Sequence, residues 1–264
     1  APLAGHAYWM LGSEMWITCL SSTRKPCTPP PMLRARPVHS PLPGWARHAS
    51  SIICRFDMTL QNCVTPTGEI IADPARGLFM GNRGVLHDEN MRLGRARWRH
   101  KNWVMCVLTF KGRRRNLMTP KRYTELFFLD EAVALAAGHR PCGECRHKDY
   151  NDFLGRWTEV HGTRPDAKSF DKALHAERAL PGGRSQRRHV AQLEDLPDGA
   201  FVLTDLAPST PHLVWADALV PYAPAGYGSP ILRPEGEALL LTPPSTVEVL
   251  KLGFVPVMHP SLGS

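Results

Sequence analysis

The sequence predicts an α+β protein, and three observations carry that prediction. Short apolar runs bounded by Gly, Pro and Asn occur in the first patterned stretch. Apolar residues at helical spacing dominate the middle, and strand-like runs return toward the end. In chain order, Gly68–Ile71 and Gly77–Gly81 read as short strands, with 81–84 as a turn. Trp103–Phe110 is rich in Val, Leu, Trp and Phe and reads as a buried strand, and Leu126–Leu129 reads as a shorter one. Asp130–Gly138 reads as a compact helix: Asp130 caps its free amides, alanines fill its interior, and Gly138 suits the left-handed position past its end. Tyr150, Phe153, Leu154 and Trp157 recur at i, i+3, i+4 and i+7, which places one apolar face on a second helix. A third helix is expected over Asp166–Arg178, with Phe170 and Leu174 inward.

Beyond the Pro181–Arg188 loop, Ala200–Thr204, Leu213–Trp215 and Ala238–Leu241 read as strands. Ser245–Glu248 has the capping-box pattern of a helix start, Gly253 ends that helix, and Phe254–Met258 reads as an edge strand because Pro256 has no donor. These elements suggest a central knuckle-like module at 58–180 and a small α+β unit at 193–264. Residues 1–57 differ. Pro29, Pro30, Pro31, Pro37, Pro41 and Pro43 crowd together with Ser and Arg, the only acids are Glu14 and Asp57, and no period persists. That stretch is expected to be a disordered extension, with Met58 as a candidate natural start; the alternative is a basic, proline-rich tail with its own partner.

Composition narrows the function classes. A chain of 264 residues with a net charge of +8 has no apolar run long enough to span a bilayer, so no membrane partner is expected. Its seven cysteines are odd in number and unevenly spread, which suits a reducing cytoplasm better than a disulfide framework. The charge is concentrated. Between Asn90 and Thr124 there is no Asp or Glu, while Arg97, Arg99, Lys101, Lys111, Arg113, Arg114, Arg115, Lys121 and Arg122 all occur, with Arg92 and Arg95 before them. Guanidinium forks neutralise phosphates and release counterions, and Trp98, Trp103, Phe110 and Tyr123 are interleaved where exposed rings would stack on bases. DNA or RNA is therefore the expected partner, and a cationic face solvated around core aromatics is the alternative.

Cys142-Gly143-Glu144-Cys145 sits on the connection between two predicted helices. Thiolates at that spacing grip one face of a tetrahedral Zn²⁺ while the intervening amides turn toward the sulfurs. The run Phe127–Ala132 followed by Ala136-Ala137-Gly138-His139-Arg140-Pro141-Cys142-Gly143-Glu144-Cys145-Arg146 resembles the second half of the Ada-type zinc-binding domain. There a paired aromatic and a short Glu-Ala helix precede Ala-Ala-Gly-aromatic-Arg-Pro-Cys-x-x-Cys. The resemblance covers residues 126–146 and implies zinc and a link to DNA repair or processing. Its other two ligands are a Cys-x-x-x-Cys pair that would fall near Lys111 and Arg115 here, and neither binds zinc. The phosphotriester-repair activity that depends on one of those cysteines is not carried over.

Further ligands must come from elsewhere, with Cys106 the leading candidate. His139 makes a His-x-x-Cys-x-x-Cys run, and His147, His87 and His100 are also open. A redox pair and two buried thiols are the alternatives. Catalytic patterns are sparse: His87 and Asp88, after the glycine turn, suit base and metal ligand of a nuclease. Glu144 and Asp149 flank the knuckle where they would orient ligands. The expected function is a zinc-stabilised nucleic-acid-binding protein. A metal-dependent nuclease or other hydrolase, and an interaction protein with an acidic partner, are the alternatives.

Overall fold

In the computed structural model, residues 59–113 and 116–263 are described; the proline-rich segment and the proposed start at Met58 lie outside them. Six strands form a first sheet: β1 (Gln61–Val64), β2 (Ile70–Ala72), β3 (Phe79–Asn82), β4 (Val104–Val107), β5 (Leu126–Phe128) and β6 (Arg140–Pro141), in the order β2-β1-β5-β3-β4-β6. The sheet is mixed. Most neighbours are antiparallel, but β1 with β5 and β4 with β6 are parallel. Helix α1 (Glu131–Ala136) links β5 to β6, and α2 (His147–His161) and α3 (Ala167–Arg178) follow.

A second sheet is antiparallel throughout. It comprises β7 (His189–Gln192), β8 (Phe201–Thr204), β9 (Ala207–Trp215), β10 (Ala218–Ala223), β11 (Gly226–Tyr227), β12 (Ile231–Leu232) and β13 (Glu237–Leu240), and α4 (Pro244–Lys251) comes after it. The α+β expectation is met, with helices and strands in two sheets.

One apolar core runs through both sheets. Val64, Leu126 and Phe128 of the first share it with Phe201, Leu213 and Val220 of the second. All six residues of α1 are buried, as expected of an alanine-rich helix with no solvent-facing stripe. Its cap is the one the sequence suggests: Asp130 Oδ1 accepts from Val133 N at 3.0 Å. Asp130 Oδ2 reaches the C-terminal residues, accepting from Tyr227 Oη at 2.6 Å and His259 N at 3.1 Å. Thus α1 is tied at its first turn to the second sheet and the tail, and its far end leads into β6 and the cysteine turn. On α2, Phe153, Leu154 and Trp157 are buried, each contributing about 1.5–3 kcal/mol by removal from water.

Two local expectations are corrected. Residues 254–258 form no strand; Val257 instead exchanges bonds with Glu131, its carbonyl accepting the Glu131 amide and its amide reaching Glu131 Oε2, both at 3.0 Å. Helix α4 starts at Pro244, ahead of the capping-box serine. Ser245 donates its hydroxyl (2.7 Å) and amide (3.0 Å) to Glu177 of α3, so the serine is taken up by a tertiary partner.

Candidate metal centre

The sulfurs of Cys106, Cys142 and Cys145 all lie within 4.8 Å of one another, at positions half-buried between sheet and solvent. Cys106 lies on β4, paired with Met80 of β3. The other two follow β6, whose parallel pairing with β4 sets Met105 against Pro141 and brings Cys142 N to Met105 O at 2.9 Å. That register delivers the turn beside Cys106. The turn aims amides at sulfur: Glu144 N donates to Cys142 Sγ at 3.4 Å, and the Cys145 amide also stabilises that thiolate.

The electrostatics favour one thiolate in the cluster. The Cys142 thiol is pushed down to about 5, first by the hydrogen bond from Cys106 and then, against burial, by the amides of Cys145 and Glu144. Cys106 is driven up, by its bond to Cys142 and by burial, and Cys145 is raised mainly by burial. Sulfurs around a tetrahedral Zn²⁺ with bonds near 2.3 Å stand about 3.8 Å apart, so the three side chains fit that ion with small adjustment.

Both flanks of the turn are fastened by buried ion pairs. Arg140, two residues before Cys142, makes a bidentate pair with Asp171 of α3, both bonds 2.8 Å. Arg146, directly after Cys145, makes another with Glu131 of α1 at 2.7 and 3.0 Å, and also meets Asp149 at 2.9 Å. The guanidinium fork fixes direction as well as distance. Sequence reasoning missed both pairs; the arginines bracketing the cysteines were the available signal, but nothing marked Asp171 or Glu131 as their partners. Asp149 therefore acts on Arg146, and Glu144 turns outward to Arg113 at 3.1 Å.

The remaining candidates separate. His139 is not with the cysteines. Its ring is fully enclosed, 4.6 Å from the centroid of Phe128 and 5.5 Å from Trp103, with Nε2 accepting from Arg83 Nε at 3.4 Å. It fills an aromatic's place in the core, and burial with Arg83 and Arg178 nearby holds it neutral. His87 has both ring nitrogens engaged, Nδ1 with Thr124 Oγ1 at 2.7 Å and Nε2 with Thr119 O at 3.3 Å. Asp88 is exposed and closes its own loop by accepting from Asn90 N and Arg92 N, both at 2.9 Å.

The cationic window divides too. Arg113 and the three cysteines line one groove of about 610 Å³, together with Phe110; Lys111 and Arg113 lie 5.1 and 5.6 Å from that ring's centroid. Lys121 and Arg122 are exposed on the same β4–β5 connection, as are Arg99 and Lys101 on the segment before β4. Arg97 is half-buried at a different cavity. Arg114 and Arg115 lie outside the described residues. Trp103 is wholly buried and offers no face to a base, because it forms the floor under Arg83 and Arg178. Among the described residues, no helix is long and apolar enough to cross a membrane.

Comparison of the chain with protein-family models, with curated proteins and with solved structures finds no match.

Proposed function

We propose that this chain is a zinc-stabilised nucleic-acid-binding protein. Cys106, Cys142 and Cys145 would hold the ion, and the cations of the β4–β5 connection, Lys111, Arg113, Lys121 and Arg122, would contact phosphates. The observation that carries the reading is the convergence of three sulfurs at the edge of a groove whose wall includes Arg113. The bound ion would join β4 to the β6–α2 turn, supplying cohesion where the sheet edge is short. The Ada-type resemblance adds support, since the described knuckle follows a strand and a capped helix in the order that resemblance implies, with His139 in the position of its aromatic.

The test is binding of a short single strand and a duplex by the full chain at several salt concentrations. Binding is expected to weaken steeply as salt rises, and Lys111→Gln with Arg113→Gln is expected to flatten that slope by about one to two ions. No affinity for either probe at low salt would sink the reading.

A second reading, a metal-dependent hydrolase, is favoured by one observation. Among the described residues only three ligands gather, and all three line the groove, whereas a closed structural site uses four. Cys19, Cys27 and Cys54 lie outside the described residues. Metal stoichiometry and cleavage assays on variants of those three separate a fourth thiolate from an open position.

A further inference from the structure

A second cavity, of about 380 Å³, lies beyond the Asn82–Val104 end of the β3–β4 pair and shares no lining residue with the cysteine groove. Three segments wall it: the turn between β1 and β2, the segment before β4, and the loop between α3 and β7. The last two are held together by Arg97 N donating to Gly183 O at 2.9 Å. Four guanidiniums line it, those of Arg83, Arg97, Arg184 and Arg188, against one carboxylate, that of Glu69. Four less one leaves an excess of three positive charges.

Burial makes this excess informative. Arg83 has no exposed surface and, among the described residues, no ion pair. Its bonds go to neutral acceptors: Gly68 O at 3.0 Å, Ala137 O at 3.1 Å and the His139 ring. These use three of its five N–H donors. The other three arginines are likewise without carboxylate bonds. Arg188 donates to Thr67 O and Arg97 to Gly94 O, while Arg184 makes no hydrogen bond among the described residues. Burial, with Arg178, Arg188 and Arg97 nearby, pushes the Arg83 guanidinium down to about 9, still charged at neutral pH. A charge buried without a counter-ion costs several kcal/mol, and an oxyanion entering here removes much of that cost. Guanidinium forks match the oxygens of a phosphate. Trp98, half-buried on the same wall, adds an aromatic face.

We propose that this cavity is a phosphate-monoester site, taking the phosphate of a nucleotide with Trp98 beside its base. It is independent of the metal centre and of phosphate contacts by the β4–β5 connection. The probes are inorganic phosphate, adenosine monophosphate and a short oligonucleotide with or without a 5′-phosphate, titrated calorimetrically into the full chain at constant ionic strength. Saturable binding of phosphate and of the monophosphate is expected. Arg184→Gln and Arg97→Gln should each weaken it about tenfold, the scale of one lost charge-assisted bond, while the exposed Arg76→Gln leaves it unchanged. Trp98→Leu should weaken the nucleotide and spare phosphate. Circular dichroism on each variant confirms folding. Preference for the 5′-phosphorylated strand over the monophosphate would assign the site to strand ends, and the reverse to free nucleotides; either supports the proposal. Absence of saturable binding at millimolar phosphate, or equal binding by folded arginine variants, would overturn it.

Discussion

The two sheets use similar numbers of strands to different ends. The second is antiparallel throughout: β8, β9, β10 and β11 follow one another as hairpins, β13 returns between β8 and β7, and the inner residues are spent on packing. The first is mixed, with short strands and long connections, and its parallel β4–β6 pair joins segments more than thirty residues apart. The three-cysteine cluster and the cavity rich in arginines both lie on the first sheet, at opposite ends of the β3–β4 pair. A local hairpin brings together what the chain already holds close. A crossover brings distant side chains to one place, and α1 as the crossover element anchors that place to the second sheet through Asp130.

The largest effect expected outside the cysteines is at the ion pair that fastens the turn to α1. Arg146→Ala strands Glu131 in a site where its carboxyl is already raised by burial, and should cost about 3–5 kcal/mol in denaturant unfolding with metal affinity falling about 10–100-fold. Unchanged affinity would separate the turn's fastening from its chemistry. On the second sheet, Phe201→Ala should cost about 3–4 kcal/mol by leaving a cavity in the shared core, yet spare metal content. Loss of metal in that folded variant would break the contrast between the sheets.

Tyr227→Phe removes the hydroxyl that bonds Asp130 and should cost about 2 kcal/mol, measured by urea denaturation. The smallest effect is a pH dependence. His175 packs against Trp98 and Trp103, and burial, with Arg178 and Lys101 nearby, lowers it from 6.5 to about 4. The unfolded chain therefore binds its proton first. The stabilisation from the neutral ring is present above pH 6.5 and is lost as pH falls toward 4. The melting temperature of the wild type relative to His175→Gln should fall over that window; a flat difference would contradict the assignment.

Sequence reasoning read the pieces of this fold better than their arrangement. Helices α2 and α3 were legible because their apolar spacing is local, and the Asp130 cap and positive φ at Gly138 follow from residue chemistry. The tight turn joining β9 to β10 carried no signal, since Ala216, at φ 48°, stands where Asn or Gly is usual; Asp198 steadies it by accepting the Ala216 amide at 2.6 Å. Cys106 was the leading candidate for a further ligand, yet only the β4–β6 register places it against the turn. His139 misled because it completes a His-x-x-Cys-x-x-Cys run, while the glycine before it turns the ring into the core. The charge window likewise combined cations that the fold distributes between two cavities.

The most direct test is metal content of the purified, reduced full chain by elemental analysis, with Cys106→Ser, Cys142→Ser and Cys145→Ser beside Cys63→Ser, whose thiol is buried outside the cluster. The account predicts about one zinc per chain in the wild type and in Cys63→Ser, and its loss in the other three. A folded wild type without metal, or full retention in Cys106→Ser, would contradict it.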